Sequence, residues 1–493
     1  MNQYVNRPRG LSEHLRAILV VFLTIVIAAG LYGQKPDRSV PPRLGLPGTL
    51  KLPPIQKFKL SNGLAVVLME KYGVPIVQIN LLVNTGAAMD PEGSGGLASL
   101  TSAMLDEGAG TRSALELADA IDFLGARIST GAGQHTSVVA LHTPVSKLDD
   151  ALPLMADIAL RPTFPKEDLE RLRKDRLTTL VQWHDQPGTI ASLAFSQTLF
   201  GPRHPYGLPS IGTEQSLRSF RVEDLQRFHK TYFNPNNATI IVVGDVTKSE
   251  IEKNLERAFG AWKGRTTASV NWADVLQVER RAVYLVDKPD AAQSEIRIGR
   301  IGVPRMTKDY FPLVVMNTIL GGSFTSRLNQ NLREEHGYSY GAGSTFDMRP
   351  LPGPFLAYSA VQTDVTDSAL VEFFKELGDI RKPISDEEFE KAKNYVALGY
   401  PDNFESVGQI AGMLADMVTY NLPETYFNTY VENILAVRKE DVQRVAQEYI
   451  VPDRVVVVVV GDRKKVEEGI RRLDLGKVEV RSIEDILGKP PKL

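Results

Sequence analysis

Imidazoles are the side chains most often found on transition metals and in proton transfer near neutral pH, and this chain carries seven: His14, His135, His142, His184, His204, His229 and His336. A metal-binding helix presents two of them three or four residues apart, on one face. No pair here has that spacing. His135 and His142 fall in a predicted pair of strands, and a continuous strand would send residues seven apart to opposite faces. Surface or hydrogen-bonded histidines are therefore expected. There are no cysteines, which excludes disulfides, thiolate ligands and cysteine nucleophiles.

Gly337-Tyr338-Ser339-Tyr340-Gly341 fits the pattern G-x-S-x-G, but that pattern positions a nucleophile only on a turn from strand into helix. Here the order is reversed. LNQNLREEH reads as a helix, Gly337 as its stop and YSYGAGSTF as the strand that follows. A nucleophilic Ser339, and with it an independent serine hydrolase, is not expected. The glycine pairs Gly95-Gly96 and Gly321-Gly322 lack the Gly-Lys-Ser/Thr ending of a phosphate loop.

The scaffold behind these residues is large. A chain of 493 residues, 43% hydrophobic and 24% charged, with a formal net charge of −2, has no basic field for nucleic acid and no acidic excess of the kind disordered chains show. Arg7, Arg9 and Arg16 precede the apolar run AILVVFLTIVIAAGLYG, and the polar QKPDRSVPPR follows it. Residues 1–33 thus resemble a secretory signal, with Ala28, Ala29 and Gly30 as cleavage points, or alternatively an inner-membrane anchor, although the run is short for a span. Export to the periplasm or its equivalent is the expectation. Residues 34–52 form a proline-rich mature start.

Past this leader the chain repeats itself. YFNPNNATIIVVGDV near Tyr232 parallels YIVPDRVVVVVVGD near Tyr449, with Gly244 and Gly461 each 12 residues after their tyrosine. FPKEDLERLRK from Phe164 parallels PISDEEFEKAK from Pro383. Strands are expected on both sides of Asn62-Gly63 and over VPIVQINLLV, and helices over 115–124, 147–160 and 166–183. The reading is an α+β fold of two homologous domains, each a mostly antiparallel sheet covered by helices: 53–262, a linker at 263–280, 281–480, and a tail at 481–493.

One further stretch, GAAMDPEGSGGLASLTSAML, carries a resemblance to the pitrilysin/insulinase superfamily of zinc peptidases, the inverzincins, in its two-domain form. In that family a helix bearing H-x-x-E-H binds zinc through two histidines and activates water through the glutamate. Aligned on GLA and ML, the first histidine falls on Ser99, the glutamate on Ser102 and the second histidine on Ala103. The third ligand, a glutamate about 75 residues on, falls on Thr178 or Thr179, which cannot replace a carboxylate. No metal is expected in this chain.

ILGGSFTSRLNQNLREEHGYSYGAGSTF is similar to the family's second-domain signature, and its arginine and tyrosine map to Arg333 and Tyr340. The resemblance implies that these two reach substrate at a zinc site in the opposing half of a clamshell. Arginine can grip a peptide carbonyl or carboxylate, and the tyrosine hydroxyl can donate to the oxyanion of a tetrahedral intermediate. The structural alternative is an Arg333 ion pair with Glu334 or Glu335 and a Tyr340 packed in the sheet. The implied function is that of a non-zinc subunit, inactive alone, in an exported heterodimeric metallopeptidase whose zinc-bearing partner is of the same family, with peptides as substrates. The alternative is a catalytically silent scaffold or peptide-binding module.

Overall fold

The computed structural model describes residue 45, residues 50–266 and residues 275–493. The leader and most of the proline-rich start, together with positions 267–274 of the expected linker, lie outside the described residues. No helix among the described residues is long and apolar enough to cross a membrane.

The first half builds a six-stranded sheet from β1 (Ile55–Lys59), β2 (Ala65–Glu70), β3 (Ile76–Val83), β4 (Arg127–Ala132), β5 (Ser137–Pro144) and β6 (Ala238–Gly244), in the order β1-β2-β6-β3-β5-β4. The second builds its counterpart from β7 (Ala282–Asp287), β8 (Gln293–Ile301), β9 (Ser339–Phe346), β10 (Pro354–Gln362), β11 (Val456–Gly461) and β12 (Val478–Arg481), in the order β9-β10-β8-β11-β7-β12. Most neighbours run antiparallel, the exceptions being β2/β6, β11/β7 and β12/β7. The repeat near Tyr232 and Tyr449 supplies central strands, β6 and β11, and the one from Phe164 and Pro383 supplies the helices Lys166–Trp183 and Asp386–Gly399. The fold is α+β, as expected.

The helices that matter for function are α1 (Leu97–Ala103), α2 (Lys166–Trp183), α3 (Pro187–Phe200), α4 (Thr366–Asp379), α5 (Asp386–Gly399), α6 (Val407–Thr419) and α7 (Ile483–Leu487). Two of them change sides. α3 belongs to the first half in sequence but packs on β8 and β11 of the second sheet, and α6 returns the favour on β3 and β6 of the first.

The sequence of the central strands shows why. An antiparallel strand with one wet face alternates apolar and polar residues, whereas a run apolar throughout needs cover on both faces. In β11, Val457 and Val459 face the second half's own helices, while Val456, Val458 and Val460 pack under α3 with Ile190, Ala194 and Phe195. In β6, Ile240 and Val242 belong to the first core, and Ile241 and Val243 meet the cluster that holds Ile410 and Leu414 of α6. Gly299 of β8 makes room for this: a Cβ there would lie 2.8 Å from Phe195 Cζ and 2.0 Å from the Phe355 carbonyl oxygen.

Residues 47–493 consequently form one compact unit, and the expected boundary near 262 is not a seam in the packing. The expected tail also needs correction. Arg481 ends β12, Ile486 of α7 joins the cluster beneath α3, and its carbonyl accepts from Gln197 Nε2 at 3.0 Å. Residues 481–493 thus help cover an apolar face that would otherwise meet water.

If the exchanged helices weld the halves, Leu414→Ala should cost about 2–5 kcal/mol and lower the stability of both halves together. Tryptophan fluorescence, whose sources are Trp183, Trp262 and Trp272, should then report the same melting transition as far-UV circular dichroism. Two separated transitions would contradict the weld.

Candidate functional site

Two places carry the residues singled out by sequence. The first is α1. Its N-terminus is capped not by a neighbour but by Asp90, whose carboxylate accepts from the Gly96 and Ala98 N–H groups at 2.7 Å each. Gly96 sits at φ +94° against the Ile211–Gly212 backbone, and a Cβ there would lie 2.6 Å from Gly212 Cα. The short apolar helix is pinned at the place where the resemblance puts H-x-x-E-H.

The polar side chains at the motif positions are spoken for. Ser102 is buried and bonds Ser137 Oγ at 3.3 Å, which in turn donates to the Thr85 carbonyl at 2.9 Å. Ala103 offers no polar group. Thr178 and Thr179 on α2 donate back to the Lys174 and Asp175 carbonyls, the usual way a hydroxyl satisfies itself inside a helix. Ser99 accepts from Arg176 Nη2 at 3.0 Å, and Arg176 Nη1 donates to the Ile211 carbonyl at 3.2 Å and the Gly96 carbonyl at 3.4 Å.

A guanidinium therefore joins α1 to α2, the two helices whose side chains would share a zinc ion in the resembled family. Burial pushes the Asp90 carboxyl up to about 7, against the pull of its helix N–H donors and of Arg176. Burial lowers Arg176 to about 10, still charged at neutral pH. Among the described residues no three of His, Asp and Glu converge as a metal site would require, and the side chains at the motif positions do not fit zinc.

Beside α1 opens a cavity of about 850 Å³, lined by Ala87, Asp90, Glu92, Phe200, His204 and Leu208 among others. His204 Nδ1 accepts from the Tyr206 N–H at 3.1 Å, so the ring proton sits on Nε2, which is buried without a partner among the described residues. His135 lies in the β4–β5 connection, not on β5 with His142, and bonds the Tyr206 hydroxyl. The Arg349 guanidinium stacks over the Tyr206 ring at 4.3 Å. Burial and Arg349 lower His135 to about 4, so it is neutral at physiological pH.

The second place is the turn that carries Arg333. Arg327–Asn329 is a single α-turn that widens into a π-helix over Gln330–Glu335, with the His336 N–H reaching back to the Asn331 carbonyl. Gly337, at φ +64°, stops it, and β9 begins at Ser339 as expected. Ser339 Oγ is buried with no hydrogen-bond partner among the described residues, so no base activates it. The β9–β10 register shifts between Ser339 and Ala342. This bulge on an edge strand re-aims side chains, and Tyr340 is left 88% exposed.

Arg333 and Tyr340 meet there. The Arg333 guanidinium lies 4.5 Å from the Phe324 ring centroid and 5.1 Å from that of Tyr340, a sandwich that orients a cation by the ring quadrupoles. Its Nε also pairs with Glu334 at 3.2 Å, so the expected alternative is realised for the arginine but not for the tyrosine. The Tyr340 hydroxyl has no hydrogen-bond partner among the described residues. Together the pair offers a fixed cation and a free O–H donor to something outside the chain.

Arg176, Asp90 and the orphan His204 Nε2 escaped sequence reasoning. Arg176 sits in RLRKDRL among charges typical of a solvated helix face, and nothing local marks it as inward.

Comparison with known proteins agrees with the fold and with the family resemblance. Residues 65–201 match the family described as insulinase (peptidase family M16), and residues 219–396 match the peptidase M16 inactive domain. The zinc protease YmxG of Bacillus subtilis, described as uncharacterized, is 26% identical over 286 residues, covering 58% of this chain and 68% of its own. The uncharacterized zinc protease ML0855 of Mycobacterium leprae is 29% identical over 304 residues, covering 61% and 68%. Among solved structures, the peptidase M16 inactive domain from Pseudomonas fluorescens superposes with a TM-score of 0.77 at 26% identity, over 83% of this chain and 98% of that one. A protease from Helicobacter pylori, at 20% identity, shares the fold with a TM-score of 0.78 over 83% and 100%.

Replacing Arg176 by methionine removes three hydrogen bonds and leaves Asp90 without its compensating charge, for an expected loss of about 3 kcal/mol. Lysine should restore little of it, because one ammonium cannot reproduce the planar fork. Urea unfolding of the wild type and both variants tests this, and an R176M midpoint equal to wild type would refute it.

Proposed function

Since this chain belongs to the insulinase family of peptidases, family M16, we propose that it is the non-metal subunit of a two-subunit metallopeptidase. Zinc and the general base would come from a partner of the same family, while this chain lends Arg333 and Tyr340. The observation that carries the reading is the exposed Arg333–Tyr340 pair, clamped against Phe324 and presented by a bulged edge strand. Burying Tyr340 would have stabilised the fold; leaving it in water makes sense if a partner or substrate covers it.

The chemistry follows from the two groups. Arg333, held by two rings and Glu334, presents its remaining N–H donors to a peptide carbonyl or carboxylate. The Tyr340 O–H donates a hydrogen bond to the oxygen of the attacked carbonyl as charge develops on it, where a preset donor acts most strongly. At α1 the serines, alanine and Arg176 support the absence of metal chemistry in this chain. The large cavity beside α1 suits an extended peptide with an apolar side chain. The charged leader and apolar run support export, and fractionation of the native cell should find the chain in the envelope; a cytoplasmic location would count against it. The Arg333–Glu334 pair favours a second reading, a silent scaffold in which the arginine serves only its own turn.

Reconstitution with the zinc-bearing partner separates the two. The chain alone is expected to hold no stoichiometric zinc and to cleave no peptide. Arg333→Ala and Tyr340→Phe should each leave assembly intact and lower kcat/KM of the complex by about 10²–10³, as loss of one oxyanion donor does. The double variant should lose less than the product of the two. Variants within about twofold of wild type, a difference of ~0.4 kcal/mol, would hand the case to the scaffold.

A further inference from the structure

Phe324, Arg333 and Tyr340 come from three separate segments: the loop after the helix Tyr310–Leu320, the π-helix and the bulge of β9. Phe324 is 60% exposed and Tyr340 88%, so burial holds neither ring beside Arg333. A cation–ring contact in water is weak and cannot by itself fix three segments. β9 lies at the edge of its sheet, with β10 as its one neighbouring strand. Another group must set the spacing.

Asn329 belongs to one of these segments and bonds the other two. It ends the α-turn that runs into the π-helix and is only 4% exposed. Its Nδ2 donates to the Phe324 carbonyl at 2.7 Å, and its Oδ1 accepts from the Ala342 N–H at 3.1 Å. Ala342 is the first residue back in register after the bulge that carries Tyr340. From the β10 side, Ser359 Oγ donates to the Gly341 carbonyl at 2.9 Å. The bulge is thus held between a side chain of the neighbouring strand and an amide that also holds the Phe324 loop. The amide has only one workable orientation, since its oxygen must face the N–H and its nitrogen the carbonyl. Core packing does not call for it. Asn329 stands between Leu328 and Leu332, both wholly buried, asparagine is a poor helix former, and a buried amide is unfavourable unless bonded.

We propose that Asn329 is the positioning residue of the Arg333–Tyr340 pair. It touches no substrate. It sets the separation of the Phe324 loop from the β9 bulge, and with it the place of the guanidinium between the two rings and the direction in which the Tyr340 O–H is offered. Such placement matters, because a displacement of about 1 Å at a reacting centre can cost on the order of 10²-fold in rate. The consequence for peptide hydrolysis rests on the subunit reading above; the geometric role does not.

The first test uses the intact chain alone, with 3-fluorotyrosine in place of Tyr340. Its fluorine resonance should be displaced from that of the free amino acid by the neighbouring guanidinium. Asn329→Ala loses both bonds and should move the resonance toward the free value, as Arg333→Ala does, while speeding amide exchange of Ala342 by about tenfold or more. Asn329→Asp keeps the acceptor for Ala342 and loses the bond to Phe324, so the resonance should move while Ala342 exchange stays within about twofold of wild type. An unmoved resonance in the variants that fold, or Ala342 exchange no faster in N329A, would overturn the proposal. So would loss of folding in both variants, which would make Asn329 a residue of the core. In the reconstituted complex N329A should lower kcat by about 10–10²-fold with KM within about twofold, and combined with Y340F it should lose less than the product of the two. If Tyr340→Phe is itself silent, the subunit reading fails and the resonance alone judges Asn329. If Tyr340→Phe is slow and N329A is not, the positioning role fails.

Discussion

Everything in this molecule hangs on the need to cover both faces of two valine- and isoleucine-rich central strands. β6 and β11 are apolar on each side, and each half supplies helices for only one side of its own sheet. The second cover is borrowed: α3 goes to the second sheet and α6 comes back to the first. The exchange turns two copies of one domain into a single body. Within that body α1 packs into the first half's cluster through Leu97 and Leu100, and the π-helix into the second's through Leu332.

Against this background the two places that the resemblance singles out are built in opposite ways. At α1 the polar groups at the motif positions are turned inward to other protein groups: Ser102 to Ser137, Ser99 and two carbonyls to Arg176, the helix end to Asp90. The site has become part of the packing. At the π-helix the reverse holds. A widened helical turn, a left-handed Gly337 and a bulge in β9 are local departures from regular structure, of the kind that mark functional positions. What they deliver is a tyrosine in open water and an arginine fixed beside it, neither of which the core needs.

Much of this was legible in the sequence. The long-range repeat, the period of the strands and the helix over 166–183 follow from spacing and propensity. That Ser99, Ser102, Ala103 and Thr178/Thr179 fall at the motif positions can be read only through resemblance, as can the interest of Arg333 and Tyr340, which the structure brings together. What stayed hidden depends on contacts far apart in the chain. Nothing near Arg176 distinguishes it from Arg171 or Arg173, because its inward turn is decided by the Gly96 and Ile211 carbonyls. Which helix covers the second face of a sheet cannot be read from periodicity, since α3 and α6 look alike from either side. The role of the last residues was misjudged for the same reason: Ile486 finds its place only once α3 has crossed over.

The crossing of α3 and α6 also sets a timetable for biosynthesis. When Gly244 completes the first sheet, the face bearing Ile241 and Val243 stays bare until Val407–Thr419 has been synthesised, an interval of roughly ten to thirty seconds at ordinary elongation rates. During that interval α3 likewise waits for a sheet that does not yet exist. The nascent chain therefore has no stopping point at which half of it is finished. A polypeptide that cannot complete its fold until nearly all of it is made remains long in the unfolded condition that threading through a membrane channel demands.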